Sequence, residues 1–313
     1  MNLKQKLIIG TRKSELALWQ AEFVKRELLK EYKNLKVELK LISTKGDKIL
    51  NKSLSKIGDK GLFTKELENY LLNGEIDIAV HSLKDMETTL PKNLILAAVT
   101  KRHNPQDVLI ARKKNMTIDK LPENATVATG SLRRKSQLKH LRPDIKVVDL
   151  RGNVPTRIQK FLESDWDAII LACAGVERLK LKKHISSYIS TDELIPAAGQ
   201  GALGIEVNSK NKFALESVKF LNDENSFYST LAERALLNTL QGGCQVPVGV
   251  FAEVKSNGLY LDAIVGSLNG DITFRKKIRG AKKNAIQLGT SLAKDLLNAG
   301  AKEILNKLKK NIV

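Results

Sequence analysis

The stretch ATVATGSLRRKSQLKHL, residues 125–141, decides the fold class because two kinds of secondary structure follow each other within it. ATVATG predicts a short strand, and SLRRKSQLKHL predicts a helix that begins where the strand ends. The same alternation continues, since IKVVDLR predicts a strand, VPTRIQKFLES a helix and DAIILACAG a further strand. Strands that alternate with helices of this length predict parallel sheets built from βαβ units.

The N-terminal hundred residues show the same alternation. KLIIGTR predicts a buried strand, and the helix after it has Leu16, Trp19 and Phe23 at helical spacing, with Ser14 as its N-cap. Further along, LFTKELENYLLNG predicts a helix and DIAVHSL an apolar strand. Residues 44–61, TKGDKILNKSLSKIGDKG, are rich in lysine, glycine and serine and predict a long, mobile loop.

The pattern changes after Asn222. A helix leads into the loop LQGGCQVPVGVF, residues 240–251, and three segments then predict an antiparallel meander before one closing helix over residues 284–308. We therefore predict an α/β protein with two α/β domains and a smaller C-terminal α+β domain. Domain 1 covers residues 1–100 and 200–221, domain 2 covers 101–199, and domain 3 covers 222–313.

Composition predicts a globular chain in a reducing compartment. Hydrophobic residues make up 42% of the chain and charged residues 28%, and no apolar run approaches the roughly 20 residues that span a bilayer. The start MNLKQKLIIG turns polar at once, unlike a signal peptide. With 2 cysteines, a disulfide framework is not expected. We predict a cytoplasmic protein with no membrane partner and, because no association stripe is visible, a monomer.

The net charge of +19 favours anionic partners. Nucleic acid, a membrane surface and a polyanionic small molecule all satisfy it, and so does the plainer interpretation that most lysines lie on solvated helix faces. Aromatic residues make up only 5% of the chain, which leaves few platforms for base stacking, and no nucleic-acid-binding motif occurs. We therefore expect no nucleic-acid partner.

Polar residues gather where predicted strands end, which is where open α/β sheets bind ligands. Arg12 follows the first strand, GSLRR places two arginines in the first turn of a helix, and RGN opens another helix. Helix N-termini favour anions, and arginine forks match carboxylates in a bidentate way. These arginines predict a carboxylate receptor. A phosphate receptor is a weaker prediction because no GxxxxGK[ST] loop occurs, and pairing with the chain's own acids is the structural alternative.

Asp85 stands at the end of the apolar strand DIAVHSL. A carboxylate at this place is either a helix cap or a working group. Positive surroundings would keep it ionised, because opposite charges favour the charged form. It would then stabilise a cation formed by a substrate, since two unit charges 4 Å apart interact by about 4 kcal/mol at an effective dielectric near 20.

Cys244 lies between two glycines and a proline in the loop LQGGCQVPVGVF. No second cysteine, histidine or acid stands at metal-ligand spacing, so no metal site is expected. No histidine is visible as a general base for a nucleophile. A small buried hydrophobe is one interpretation, and it is the one we favour for Cys173 within IILACAGV. The flanking glycines also suit a thiol that is a covalent attachment point.

Nine segments together resemble the porphobilinogen deaminase (hydroxymethylbilane synthase) family along nearly the whole chain. They are IGTRKSELALWQ, STKGDK, GDKGLFTKELE, DIAVHSLKDM, TGSLRRKSQL, LRGNVPTRIQK, DAIILACAGVERL, PAAGQGALGIE and ERALLNTLQGGCQVPVG, in the family's order. The resemblance implies two domains like type II periplasmic binding proteins, with the active cleft between them, and a third domain that carries the cysteine loop. It also implies a transferase of porphyrin and heme biosynthesis that adds four porphobilinogen molecules to a dipyrromethane cofactor, releases ammonia and finally hydrolyses the product.

The resemblance assigns roles to individual residues by position. Asp85 is expected to stabilise an azafulvenium-type cation, and Cys244 is expected to hold dipyrromethane through a thioether. The residues expected to bind the cofactor are Cys244, Lys84, Asp85, Thr129, Ser131, Arg133, Arg134, Gly152 and Gly175, and those expected to bind substrate are Arg12, Ser14, Arg151 and Arg157. Lys56 and Lys60 lie on the mobile loop and Phe63 follows it, so this loop is expected to be a lid that shields the cation from water.

The chain departs from the family pattern near these residues. Met86 and Glu87 follow the HSxKD motif, RHNPQD carries His103, Asn104 and Gln106, and Gly130 stands where a serine is common. The departures leave Asp85 and Cys244 in place. A non-catalytic anion-binding module is the alternative function, and release of ammonia from porphobilinogen distinguishes it from the enzyme.

Overall fold

The computed structural model describes residues 6–48, 61–241, 246–256 and 258–310. They form two compact units. Unit 1 contains the described residues up to 103 together with residues 202–227. Unit 2 contains residues 104–201 and the described residues from 228 onward.

Strands and helices alternate over most of the described chain. The strands are β1 Lys6–Arg12, β2 Lys36–Ile42, β3 Ile78–Ser82, β4 Leu94–Val99, β5 Asp107–Ala111, β6 Thr126–Ala128, β7 Lys146–Val148, β8 Ala168–Ala172, β9 Ser187–Ile189, β10 Leu203–Asn208, β11 Val248–Lys255, β12 Gly258–Gly266 and β13 Thr273–Gly280. The helices are α1 Glu15–Glu31, α2 Lys45–Lys48, α3 Lys65–Leu72, α4 Leu132–Leu141, α5 Val154–Glu163, α6 Cys173–Arg178, α7 Lys212–Val218, α8 Glu224–Thr239, α9 Ala285–Leu296 and α10 Lys302–Lys310.

The two large sheets have the same design. In unit 1 the strand order is β2-β1-β3-β10-β4, and in unit 2 it is β7-β6-β8-β5-β9. In each, the first three strands are parallel, while the fourth is antiparallel to both of its neighbours. Each sheet is therefore a βαβ arrangement with one reversed strand in the fourth position, and the prediction of an α/β protein with two α/β domains is confirmed.

Apolar residues on both faces explain why these sheets are covered by helices. In unit 1, Leu7 and Ile9 of β1 pack with α1 and α7 on one face, and Ala79 of β3 packs with α3 on the other. In unit 2, the two faces are likewise covered, by α4 on one side and by α5 and α6 on the other. Burial on both faces is typical of parallel strands joined by helices.

The C-terminal part of the chain forms a smaller sheet of order β11-β12-β13 with antiparallel pairing, as the meander predicts. Its core includes α8 and α9. The C-terminal α+β domain is thus confirmed as a fold, and the predicted residue boundaries of the three domains stay a prediction. Two expectations were wrong. The closing helix is divided by a π-helical turn, Leu297–Ala301, because Gly300 has a φ of 118°. The segment 44–61, predicted as a loop, begins with the short helix α2 Lys45–Lys48, and residues 49–60 lie outside the described residues.

Candidate active site

Unit 1 contains a pocket at the carboxyl ends of β1 and β3. Its walls come from the β1–α1 turn, the first turns of α1, two residues before α3, and the segment at the end of β3. The residues that line it are Arg12, Ser14, Leu16, Ala17, Gln20, Phe63, Thr64, Val80, His81, Ser82 and Asp85. This is the edge of an open α/β sheet where ligands bind.

Ser14 fixes the turn that forms one wall. Its side-chain oxygen accepts a hydrogen bond from the Ala17 amide at 3.3 Å, so Ser14 is the N-cap of α1, as predicted. The Thr11 hydroxyl donates to the Ala17 carbonyl at 3.0 Å. The turn is therefore held on both sides, and the N-terminus of a 17-residue helix adjoins the pocket. Such a terminus favours negative charge.

Arg12 is held by an acid and an aromatic ring. Its Nε donates to Asp47 Oδ1 at 3.2 Å, and its Nη2 forms an ion pair with the same carboxylate at 2.5 Å. The guanidinium carbon lies 4.2 Å from the centre of the Phe63 ring, a cation–π contact. Burial alone would raise the pKa of Asp47, but the bonds from Arg12 and Thr44 outweigh it and lower the pKa. The pair therefore fixes the orientation of Arg12.

Asp85 is the acid of this pocket, and it has no partner among the described residues. It ends a short 3₁₀ helix, Leu83–Asp85, directly after β3, and its side chain is half-buried. The turn is anchored by its neighbours, since the Leu83 amide donates to the Ala202 carbonyl at 3.1 Å and Gln20 Nε2 donates to the Ser82 hydroxyl at 2.7 Å. The Asp85 carboxylate forms no hydrogen bond or ion pair with the described residues. It is therefore available to a bound cation.

In unit 2, the matching turn between β6 and α4 carries Thr129 to Arg134. The Ser131 hydroxyl accepts from the Arg134 amide at 3.4 Å and caps α4. A Cβ on Gly130 would lie 2.6 Å from the Leu150 carbonyl oxygen. A larger residue at this position would therefore require the Leu150 backbone to shift.

Both arginines of GSLRR pair with one buried acid, Asp107 of β5. Arg133 Nη1 lies 2.8 Å from one carboxylate oxygen and Arg134 Nη2 lies 2.7 Å from the other. Asp107 is fully buried, and the arginines are 4% and 5% exposed. Burial acts to raise the pKa of Asp107, but the two guanidinium groups outweigh it and hold that pKa well below its usual range. Gln200 Nε2 adds a bond of 2.9 Å to the same carboxylate.

The second set of unit 2 residues lies at the start of α5. Gly152 has a φ of 119°, and its carbonyl accepts from Arg157 Nε at 2.7 Å. Burial lowers the pKa of Arg151, against the opposing effect of Asp149. Gly175 is buried within α6.

Cys173 is a core residue, as predicted. It is fully buried, and burial together with Glu177 raises the pKa of its thiol to about 12. A thiol in this state is not a nucleophile at neutral pH. Cys173 therefore does not compete with Cys244 as an attachment point.

Comparisons with known proteins agree with one another. Residues 7–216 match the family model "Porphobilinogen deaminase, dipyromethane cofactor binding domain", and residues 227–298 match "Porphobilinogen deaminase, C-terminal domain". A porphobilinogen deaminase of Chlorobium phaeobacteroides is 50% identical over 312 residues, covering 98% of this chain and 99% of the relative. That of Chloroherpeton thalassium is 48% identical over 307 residues, covering 97% and 98%.

The chain belongs to the porphobilinogen deaminase family. It is therefore an enzyme, a transferase of tetrapyrrole biosynthesis, and the larger matched segment is a dipyrromethane-cofactor-binding domain. Among solved structures, a Bordetella pertussis BvgS VFT2 domain is 14% identical with a TM-score of 0.42 and covers 69% of this chain and 86% of its own. The Escherichia coli aliphatic sulphonate binding protein SsuA is 15% identical with a TM-score of 0.39 and covers 76% and 71%. These two likenesses are too weak to bear on function.

The structure brings some of the predicted site residues together and leaves others apart. Arg12, Ser14, Phe63 and Asp85 line one pocket in unit 1, whereas Lys84, on the same turn as Asp85, does not line it. Thr129, Ser131, Arg133 and Arg134 lie in unit 2, as do Arg151, Gly152, Arg157 and Gly175. Cys244, Lys56 and Lys60 lie outside the described residues, so their roles stay predictions.

The buried arginines of unit 2 fit a group that carries carboxylates, such as dipyrromethane. Arg133 and Arg134 bring two positive charges against the single negative charge of Asp107. The Nε of each forms no hydrogen bond within the described part of the chain. The cluster therefore keeps a positive charge and two N–H donors in excess, which an anionic side chain of a bound cofactor would satisfy.

Sequence reasoning missed several residues that shape these sites. Gln20, His81 and Asp47 contact the pocket or its arginine, and Asp107 forms ion pairs with both arginines of GSLRR. Gln20 carried a usable signal, since an amide on the buried face of an apolar helix needs a polar partner. Asp107 carried no such signal in the sequence, because Arg133 and Arg134, with which it pairs, lie 26 and 27 residues away.

Proposed function

We propose that the chain condenses four porphobilinogen molecules head to tail on a dipyrromethane primer, releases ammonia at each addition, and hydrolyses the product to hydroxymethylbilane. The observation that carries this proposal is the Asp85 carboxylate, which lines a pocket beside Arg12 and has no partner among the described residues. Membership of the porphobilinogen deaminase family supports the reaction.

Asp85 is proposed as the catalytic residue. Loss of ammonia from the aminomethyl group of porphobilinogen leaves a cation on that carbon. A fixed carboxylate beside this carbon lowers the energy of the cation without having to reorganise. At a separation of 4 Å the interaction amounts to about 4 kcal/mol at an effective dielectric near 20.

The arginines are proposed to bind carboxylates. Each porphobilinogen carries an acetate and a propionate, so the growing product gains two negative charges with each unit. Arg12 and Ser14 in unit 1, and Arg151 and Arg157 in unit 2, are the proposed substrate-binding residues. Arg12 is held by Asp47 and Phe63 before substrate binds, which reduces the entropy lost on binding.

Cys244 is proposed to hold dipyrromethane through a thioether. When bound, the cofactor supplies the free pyrrole carbon to which substrate is added. Lys84, Thr129, Ser131, Arg133, Arg134, Gly152 and Gly175 are the proposed cofactor-binding residues. The positive charge left over beside Asp107 supports this placement of the cofactor's carboxylates.

The segment with Lys56 and Lys60 is proposed to cover the pocket during the reaction. Phe63, the aromatic residue that follows it, contacts Arg12 and lines the pocket. A cover that excludes water would protect the cation from hydrolysis.

We further propose that the protein acts in the cytoplasm as a monomer, without membrane or nucleic-acid partners. Within the described residues, no helix has both the length and the apolar character to cross a membrane. Size-exclusion chromatography with light scattering tests the monomer, which would elute at about the 34.7 kDa of the single chain.

Intact-mass spectrometry tests the central proposal. The purified protein should exceed its sequence mass by one dipyrromethane, and brief incubation with porphobilinogen should add a ladder of pyrrole increments with release of ammonia. Cys244→Ser should remove the increment, while Cys173→Ser, the matched control, should keep it. Active protein of bare sequence mass would contradict the thioether, and binding of porphobilinogen without ammonia would indicate an anion-binding module instead.

A further inference from the structure

A buried polar pair lies beside the unit 1 pocket and takes no part in the roles proposed above. His81 Nε2, on β3, lies 3.0 Å from Glu206 Oε2, on the antiparallel neighbour β10. His81 is 5% exposed and Glu206 is fully buried. Burying a carboxylate is costly unless it is paired, so the pair fixes the imidazole in one orientation.

The pairing leaves one ring nitrogen of His81 for chemistry. Because Nε2 faces a carboxylate, Nε2 carries the hydrogen and Nδ1 is the basic nitrogen. Nδ1 forms no hydrogen bond with the described residues, and His81 lines the same pocket as Asp85. An imidazole oriented by a buried carboxylate is an arrangement that enzymes use to accept protons.

The neighbouring groups favour a proton acceptor here. From α3, Glu68 is 7% exposed, and its burial, together with the charges of Glu206 and Glu87, raises its pKa. Glu68 therefore keeps its proton to a higher pH than an exposed glutamate does, while Glu206 is the acid within hydrogen-bond distance of His81. The other ionisable residues of the pocket are Arg12 and Asp85. An imidazolium at His81 would thus face Glu206 on one side and the Asp85 pocket on the other.

On the basis of the proposed function, we propose that His81 is a second catalytic residue, the base that accepts the proton released from a pyrrole carbon at each addition. The substrate enters with an ammonium group; its C–N bond breaks, and the electron pair leaves with nitrogen as ammonia. The free α-carbon of the acceptor ring then bonds to the cationic carbon. The C–H bond at that α-carbon breaks, its electron pair restores the aromatic ring, and the proton moves to Nδ1 of His81. The imidazolium returns the proton to ammonia or to water, so charge and atoms balance.

This assignment separates two tasks. Asp85 must stay negative throughout the life of the cation, whereas a proton acceptor must change its charge. A neutral imidazole takes up the proton without removing the carboxylate that the cation needs.

The test uses His81→Gln in the cofactor-loaded enzyme. Glutamine preserves a hydrogen bond to Glu206 but cannot accept the proton, so kcat should fall about 100-fold, the usual contribution of a general base. With porphobilinogen deuterated at its free α-carbon, the variant should show a larger isotope effect on kcat than the wild type. His184→Gln, which changes a histidine outside the pocket, is the matched control and should change neither quantity.

A second measurement does not depend on activity. The chain has 4 histidines, so nitrogen NMR of histidine-labelled protein resolves them, and His81 should show a protonated Nε2 and an unprotonated Nδ1 that Glu206→Gln perturbs. An unchanged isotope effect in His81→Gln, or a protonated Nδ1 in the wild type, would overturn the proposal. The proposed function fails by a different result, namely wild-type protein that lacks the dipyrromethane mass increment and releases no ammonia.

Discussion

The β1–α1 turn of unit 1 and the β6–α4 turn of unit 2 occupy the same place in two sheets of the same order, yet their charges are arranged differently. At both turns a serine caps the helix, and its hydroxyl accepts a hydrogen bond from the backbone amide three residues further along the chain. In unit 1 the arginine is half-buried, and Asp85 nearby in the pocket has no partner among the described residues. In unit 2 two arginines are buried and share one buried acid. The difference supports the proposal that Asp85 in unit 1 performs the chemistry and that the arginines of unit 2 provide a fixed positive charge.

The largest effect is expected from Asp85→Asn. Removal of an interaction of about 4 kcal/mol at the transition state corresponds to roughly a 10³-fold loss of turnover. Because Asp85 has no partner among the described residues, the fold and the mass increment should be kept. Ammonia release measures the rate, and Asp165→Asn, on the exposed surface, is the control. A variant with near-normal turnover would show that the cation is stabilised elsewhere.

Asp107→Asn should give the largest loss of stability. It leaves two buried guanidinium groups without their acid, and breaking a buried pair costs about 3–5 kcal/mol of the free energy of unfolding. Urea denaturation measures this loss, and Asp144→Asn, which breaks a pair nearer the surface, should cost much less. A variant of wild-type stability would mean that water or a neighbouring group replaces the acid.

The same acid predicts how stability depends on pH. The folded pKa of Asp107 lies well below the unfolded value of 3.8, so the folded state holds this proton less tightly. The stabilisation is therefore complete above the unfolded pKa and is lost as the pH falls below it toward the folded pKa. Acid titration of unfolding should show this loss in the wild type, and Asp107→Asn should lack that component.

The smallest effect is expected from Gly130→Ala. The added methyl group would lie 2.6 Å from the Leu150 carbonyl oxygen, and relief of such a clash costs about 1–3 kcal/mol. Gly74→Ala is a useful comparison, because its Cβ meets nothing within 4 Å, although its φ of 70° adds backbone strain of its own. An unchanged melting temperature in Gly130→Ala would show that the backbone at Leu150 shifts at little cost.

The sequence predicted the parts of the fold that depend on local pattern. Apolar runs predicted β1 and β3 of one large sheet and β6 to β8 of the other, and Ser14 predicted the start of α1 because a cap acts on its own helix. Strand ends also located Asp85 and the arginines, since ligand-binding residues gather at that edge of a sheet.

The parts that failed depend on contacts between distant segments. The pairing of Arg133 and Arg134 with Asp107 follows from β5 lying antiparallel to β8, which no local pattern records. The interruption at Gly300 was missed because glycine occurs inside helices as well as at their ends. The contact with Phe274, which would lie 2.7 Å from a Cβ at Gly300, comes from a distant strand.

The reversed fourth strand has a consequence for synthesis on the ribosome. In unit 2 the reversed strand is β5, which is translated before its neighbours β8 and β9. All strands of that sheet have therefore been made once β9, which ends at Ile189, has left the ribosome. In unit 1 it is β10, which lies between β3 and β4 but is made about a hundred residues after them. The N-terminal sheet is therefore translated first but completed second. Asp85 gains its final surroundings only when β10 pairs with β3 and β4.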